Sequence, residues 1–178
     1  MKKSFLMLAM LLMLLAGCKN EPTKETAVKE EKMTDSAESK EEKNKQTALA
    51  SVNAFLAGDV DAVLKDVTAD AIDYNDGSMP PIKGIDSIKA GVKEWRSNFS
   101  DYKGENLLAI ADGDYVAVFG DYSGTFKSDV MGMKTAGKSF KIKDADIFRF
   151  NDEGKMTEHR SVQSSAEMMK QLGSGMSK

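Results

Sequence analysis

From Glu105 to Gln163 apolar and polar residues alternate in long runs, each closed by turn-forming residues. The runs are ENLLAIADG, DYVAVFGDYSGTF, KSFKIKDADIFRF and KMTEHRSVQ, and NDEGK before the last is the clearest hairpin signal. Alternation with a period of two fits strands whose side chains point to opposite faces in turn. Strands that follow one another across turns form an antiparallel meander, and its apolar face needs a cover.

The residues before the strands supply that cover. KQTALASVNAFLAGD places Leu49, Val52, Phe55 and Leu56 on one helical face and stops at Gly58. Asp59 can cap VDAVLKDV, whose stripe is Val60, Val63, Leu64 and Val67. A short extended piece, AIDYN, runs into the breaker-rich loop DGSMPPIKG. Asp86 can then cap SIKAGVKEWRSNF, where Ile88, Val92, Trp95 and Phe99 recur at helical spacing. A last piece, SSAEMMKQLG, adds a further turn or two of helix. The expected fold class is α+β, a curved antiparallel-rich sheet wrapped on N-terminal helices and enclosing a cone-shaped pocket. Residues 45–173 are the right length for one such domain, and residues 174–178 are expected to be a disordered tail.

Residues 1–17 read differently. MKKS is a short positive region, and FLMLAMLLMLLA is an apolar run of about a dozen, too short for a membrane span of roughly twenty, so the segment is expected to be an export signal. Leu15, Ala16 and Gly17 before Cys18 resemble the lipobox of bacterial lipoproteins, which implies cleavage before Cys18 and lipid on its sulfur. Cys18 is the only cysteine, so no intramolecular disulfide can form. Residues 18–44 follow as the lipidated cysteine and a charged tether, expected to be disordered or transiently helical. Residues 19–44 hold 6 lysines against 8 acidic residues and almost nothing apolar. Losing Lys2 and Lys3 with the leader takes the net charge from -3 to -5. No basic cluster remains, which excludes nucleic acid as a partner and leaves the lipid anchor as the contact with a membrane. The expected location is a membrane-anchored position on the periplasmic face or cell surface. Lys19, in place of an aspartate, leans toward the outer membrane in a two-membraned cell.

The segments AGDVDAVLKDVTADAIDY, IKGIDSIKAGVKEW, GDYVAVFGDYSGTF, TAGKSFKIKDADIFRFNDEGKMTEH and the terminal QLG, in this order, resemble the SnoaL-like polyketide cyclase group of the nuclear transport factor 2-like superfamily. The resemblance covers essentially the whole domain. It implies the cone-shaped fold, a deep pocket between sheet and helices, and homodimerisation through the sheet. It implies little about chemistry, because this fold hosts cyclases, isomerases, dehydratases and members with no activity assigned. The group's acid/base aspartate would fall at Ser164 here, and a serine cannot shuttle protons near neutral pH without an activating base.

Strand alternation then sorts the pocket walls. Met156, Glu158, Arg160 and Val162 share one face, while Thr157, His159, Ser161 and Gln163 share the other. Met156 and Val162 mark the first set as inner, so Glu158 and Arg160 are expected in the pocket and His159, the only histidine, outside it. On the preceding run Phe140, Ile142, Asp144, Asp146, Phe148 and Phe150 share a face. Carboxylates on an aromatic wall need partners, and the planar fork of Arg160 suits Asp146. Asp146 is thus the one acid/base candidate, with a self-satisfied ion network as the competing reading. Tyr74, Trp95 and Tyr122 complete the expected ligand-binding set of Asp146, Glu158 and Arg160, and Met131 and Met133 lie in the loop expected at the cavity mouth.

One histidine and one lipidated cysteine give no metal site, and there is no glycine-rich phosphate loop, so no cofactor is expected. The resulting expectation is a lipid-anchored module that binds a small, partly apolar and anionic molecule. The alternative is an isomerase, dehydratase or cyclase using Asp146 as acid/base with Arg160 as anion stabiliser.

Overall fold

The computed structural model describes residues 24–130 and 132–173. The export signal, Cys18, Met131 and the tail from residue 174 lie outside the described residues. The elements in order are α1 (Lys24–Ala57), α2 (Val60–Val63), β1 (Val67–Asp73), β2 (Ile82–Lys83), α3 (Ile85–Ser97), β3 (Lys103–Asp112), β4 (Tyr115–Thr125), β5 (Ser139–Phe150), β6 (Met156–Ser161) and α4 (Ser165–Gln171). The charged segment expected as a tether up to residue 44 is therefore, from Lys24, the N-terminal part of α1.

The strands form one curved, unclosed sheet in the order β2-β1-β6-β5-β4-β3. The expected meander is β3 to β6, where each strand pairs antiparallel with the next. β1 joins the far side of β6 in parallel, bringing the end of the first extended piece beside the last strand. The α+β architecture, with N-terminal helices against the sheet, is the one expected from the order of the sequence patterns.

Helix α1 lays Ala48 and Val52 against Val116, Val118, Phe148, Phe150 and Met156. Each apolar side chain fully buried in this way contributes about 1.5–3 kcal/mol. Toward the other end, Phe99, Tyr102, Tyr122, Phe126 and Phe140 pack with Met168 and Leu172 of the C-terminal helix region. Their rings meet at tilted and edge-on angles, Phe99 and Phe126 at 4.7 Å. Leu56 sits between the two groups and needs Gly104 opposite it, since a Cβ there would lie 2.8 Å from Leu56 Cδ1. Aromatic rings thus occupy much of the cone, and polar chemistry is confined to one stretch of its wall.

Candidate functional site

Two strand ends build the polar stretch. The β5 alternation holds as expected: Phe140, Ile142, Asp144, Phe148 and Phe150 are buried, and Asp146 is half-buried on the same face. β6 does not alternate simply. Glu158 pairs with Arg149 but Met156 with Phe150, so Thr157 is an extra residue with no partner on β5. Such a bulge reverses the side-chain parity beyond it. Met156 is buried as expected, but Glu158 and Arg160 then point to the outer face and His159 and Ser161 to the inner one.

This corrects the expected orientation of Glu158, His159, Arg160 and Ser161. Glu158 pairs with Arg149 at 2.8 Å and with Arg160 at 3.6 Å, among outward side chains. Arg160 lies over the Tyr74 ring, 4.7 Å from its centroid, and makes no pair with Asp146. Tyr74 accordingly belongs to the outer face. Val162 follows the end of β6 and is exposed rather than inner. Trp95 stacks edge-on against Phe99 at 5.1 Å, packed on the aromatic group. Tyr122 is the one aromatic of the expected set that meets a carboxylate, donating from its hydroxyl to Asp146 Oδ2 at 2.9 Å. Ser164 stands at the N-cap position of α4, and Met133 bridges Val130.

In place of Arg160, Asp146 is partnered by His159, whose Nε2 lies 3.2 Å from Asp146 Oδ1. The other ring nitrogen, Nδ1, lies 2.9 Å from Asp73 Oδ1. Asp73 is the last residue of β1 and is aimed locally, because its Oδ1 also accepts the Asn75 N–H at 2.8 Å. Asn75 adopts a φ of 49°, a left-handed conformation that asparagine tolerates, and its carbonyl accepts the Ser161 N–H at 2.8 Å. The turn therefore locks the end of β1 onto β6 and sets Asp73 beside His159. The result is a continuous chain, Asp73–His159–Asp146–Tyr122, across the four strands β1, β6, β5 and β4.

Electrostatics fix its protonation. Burial disfavours the imidazolium, but hydrogen bonds to Asp146 and Asp73, with their charges, outweigh it and raise His159 to about 10. At neutral pH both ring nitrogens therefore donate. For Asp73, burial raises the carboxyl, and the His159 hydrogen bond and charge more than offset it, leaving it lowered. Tyr122 is raised by burial, by the Asp146 charge and by donating to it.

Asp144 stands next to this chain. Its carboxylate accepts from Ser161 Oγ at 3.1 Å and from the Ala145 N–H at 2.6 Å. Burial first, then the Asp146 charge, push it up to about 6 against these hydrogen bonds and the His159 charge. The inner wall thus holds three aspartates, one imidazolium and a tyrosine, with a net negative character. His159 keeps 32% of its side chain exposed, so the chain reaches solvent at its centre. Sequence reasoning missed Asp73 because placing Tyr74 in the pocket puts its neighbour outside by alternation, whereas β1 buries Ala71 and Asp73. Among the described residues no group of three or more histidine, cysteine or acidic side chains is arranged to hold a metal ion.

Two hollows lie elsewhere on the surface. One, of about 400 Å³, is bordered by Asp70, Ile72, Arg149, Thr157 and Glu158 among others, and a second, of about 640 Å³, lies beside Asn44 and Gly154.

The geometry defines a cone of the α+β type with an acid/base cluster on its inner wall. Residues 45–172 match the SnoaL-like polyketide cyclase family, and the chain belongs to it. Solved structures share the fold: AclR, a hydroxylase candidate from Streptomyces galilaeus, is 22% identical with a TM-score of 0.63, covering 75% of this chain and 97% of its own. A polyketide cyclase candidate from Xanthomonas campestris is 17% identical with a TM-score of 0.68, covering 75% and 98%. A protein with a ketosteroid isomerase-like fold from Catenulispora acidiphila, in complex with trimethylamine, is 17% identical with a TM-score of 0.59, covering 71% and 92%. No curated protein sequence matches the chain.

Proposed function

We propose that this chain is an exported, lipid-anchored SnoaL-like domain that binds a small, partly apolar molecule against the Asp146–His159 edge of its cone. The single observation that carries the reading is His159, clamped between Asp73 and Asp146 yet one-third open to solvent beside the Phe148 ring at 5.1 Å. That exposure leaves the cluster reachable by a ligand from solvent. With Arg160 on the outer face, the wall suits a neutral or cationic hydrogen-bond donor better than the anion expected from sequence. Cys18 and its lipobox support the anchor, and the outer membrane remains the favoured site in a two-membraned cell. The exposed outer-face side chains Leu108, Ile110, Tyr115 and Phe119 support a homodimer through the sheet.

A second reading is favoured by Asp144. A buried carboxyl titrating at about 6 beside a fixed carboxylate is poised to exchange protons near neutrality, as an isomerase, dehydratase or cyclase requires. In that reading Asp146, tied to His159 and Tyr122, orients the site, and Ser164 in the family's aspartate position is bypassed.

The test is native mass spectrometry of protein extracted from its own membranes. Wild type should carry a small molecule that His159→Gln loses. Wild type emerging without one, under conditions that preserve other lipoprotein ligands, would sink the binding reading. Turnover of that molecule, abolished in Asp144→Asn with binding retained, would move the assignment to an enzyme.

A further inference from the structure

The lipid anchor leaves open how the domain stands on its membrane, and α1 supplies an answer. The β3–β4 turn at Gly113 and Asp114 and the β5–β6 turn at Asn151 to Lys155 lie together at one end of the sheet, where Tyr115 pairs with Arg149. Helix α1 is fastened to that end. Lys40 Nζ reaches Asp114 at 2.8 Å and Asp152 at 3.0 Å, the Gly113 N–H donates to Glu41 Oε1 at 2.7 Å, and Asn44 is buried against Gly154. From there the helix runs along the sheet to Leu56, which touches the Gly104 and Tyr122 region at the opposite end.

Because α1 is continuous from Lys24, the chain approaches the turn end as a rod. Lys24 to Lys40 spans about 24 Å at about 1.5 Å per residue, and Cys18 stands six residues earlier. The Asp73–His159 site lies at the other extreme of its strands. β1 and β6 start together at the turn end, where Val67 pairs with Met156, and run away from it in parallel. Asp73 ends β1, and His159 and Ser161 fall in the last three residues of β6.

We infer that α1 holds the domain off the bilayer with its two hairpin turns toward the membrane and the Asp73–Asp146–His159 site toward the aqueous compartment. The ligand then arrives from solution and not from the lipid phase. This rests on the lipid-anchor reading of Cys18.

The geometry is testable because the only native cysteine carries the lipid, leaving an introduced cysteine as the sole free thiol. Donor dyes are placed at Glu153→Cys, on the turn end, and at Lys127→Cys, after β4. The length of β4 separates these ends by about 33 Å at about 3.3 Å per residue. On phosphatidylcholine vesicles doped with an acceptor-labelled lipid, energy transfer should be several-fold stronger from position 153. Equal or reversed transfer, from protein that floats with the vesicles and is released by Cys18→Ser, overturns the orientation and leaves the anchor standing. Lipid-processed protein that does not float at all overturns the anchor and the orientation with it. A Met33→Pro change breaks the helix at its interior and should narrow the difference between the two labels; an unchanged difference would refute α1 as the orienting rod.

Discussion

Replacing His159 by glutamine should remove both a charge and a pH dependence from the fold. In the unfolded chain the imidazole titrates near its ordinary 6.5, and in the folded protein it titrates at about 10. The folded state therefore holds the proton more tightly. Its contribution is fully present below about 6.5, fades as the pH rises, and is gone once the pH passes about 10. At about 1.4 kcal/mol per pH unit the rise sets a ceiling of about 5 kcal/mol. The ring is 32% exposed, and solvent screening reduces the expected loss to about 2 kcal/mol across that range. Urea unfolding between about pH 6.5 and about pH 9.5 should show wild type losing this stability and His159→Gln losing little of it. Because the chain has one histidine, a single imidazole resonance followed by NMR reports the same ionisation directly. A midpoint near 6.5, or equal pH slopes in the two proteins, would refute the clamp between Asp73 and Asp146.

Asp144 carries the same sign in a lower pH window: its raised carboxyl favours the neutral form in the folded state, so its contribution is lost as pH rises from 3.8 to about 6. Asp144→Asn should accordingly stabilise the protein at neutral pH by about 1–3 kcal/mol and flatten that acid slope; destabilisation in urea melts would count against a desolvated charge there. Deleting Thr157 removes the bulge but leaves Met156 and His159 on the same face, so the deletion should cost about 1–2 kcal/mol and keep the high histidine midpoint. A midpoint restored to its ordinary value would mean the extra residue does not set the parity. If the outer sheet face forms a dimer, Phe119→Glu should convert it to monomer by light scattering, and a monomeric wild type would discard that interface.

The run of strand patterns after the helical ones determined the α+β class; β4 and β5 alternate as their residues dictate, and β3 does so beyond its irregularity between Glu105 and Leu108. Asp144 and Asp146 were legible on the inner wall for the same reason, as was Tyr122 between Val118 and Gly124. Side-chain period along a strand is local, and the sequence carries it directly. The partners of those carboxylates were not local. β6 must pair with β5 on one side and β1 on the other, with an irregularity in each pairing, and the one against β5, the unpaired Thr157, leaves no mark in the alternation of KMTEHRSVQ. That residue decided that His159 and not Arg160 meets Asp146. Asp73 joins them from 86 residues away, through a parallel pairing that no neighbouring residue encodes. The sequence by itself determined which strands exist and what their faces carry; tertiary pairing alone decided which charged residues share the inside of the cone, because parity across a bulge is set by both neighbouring strands at once.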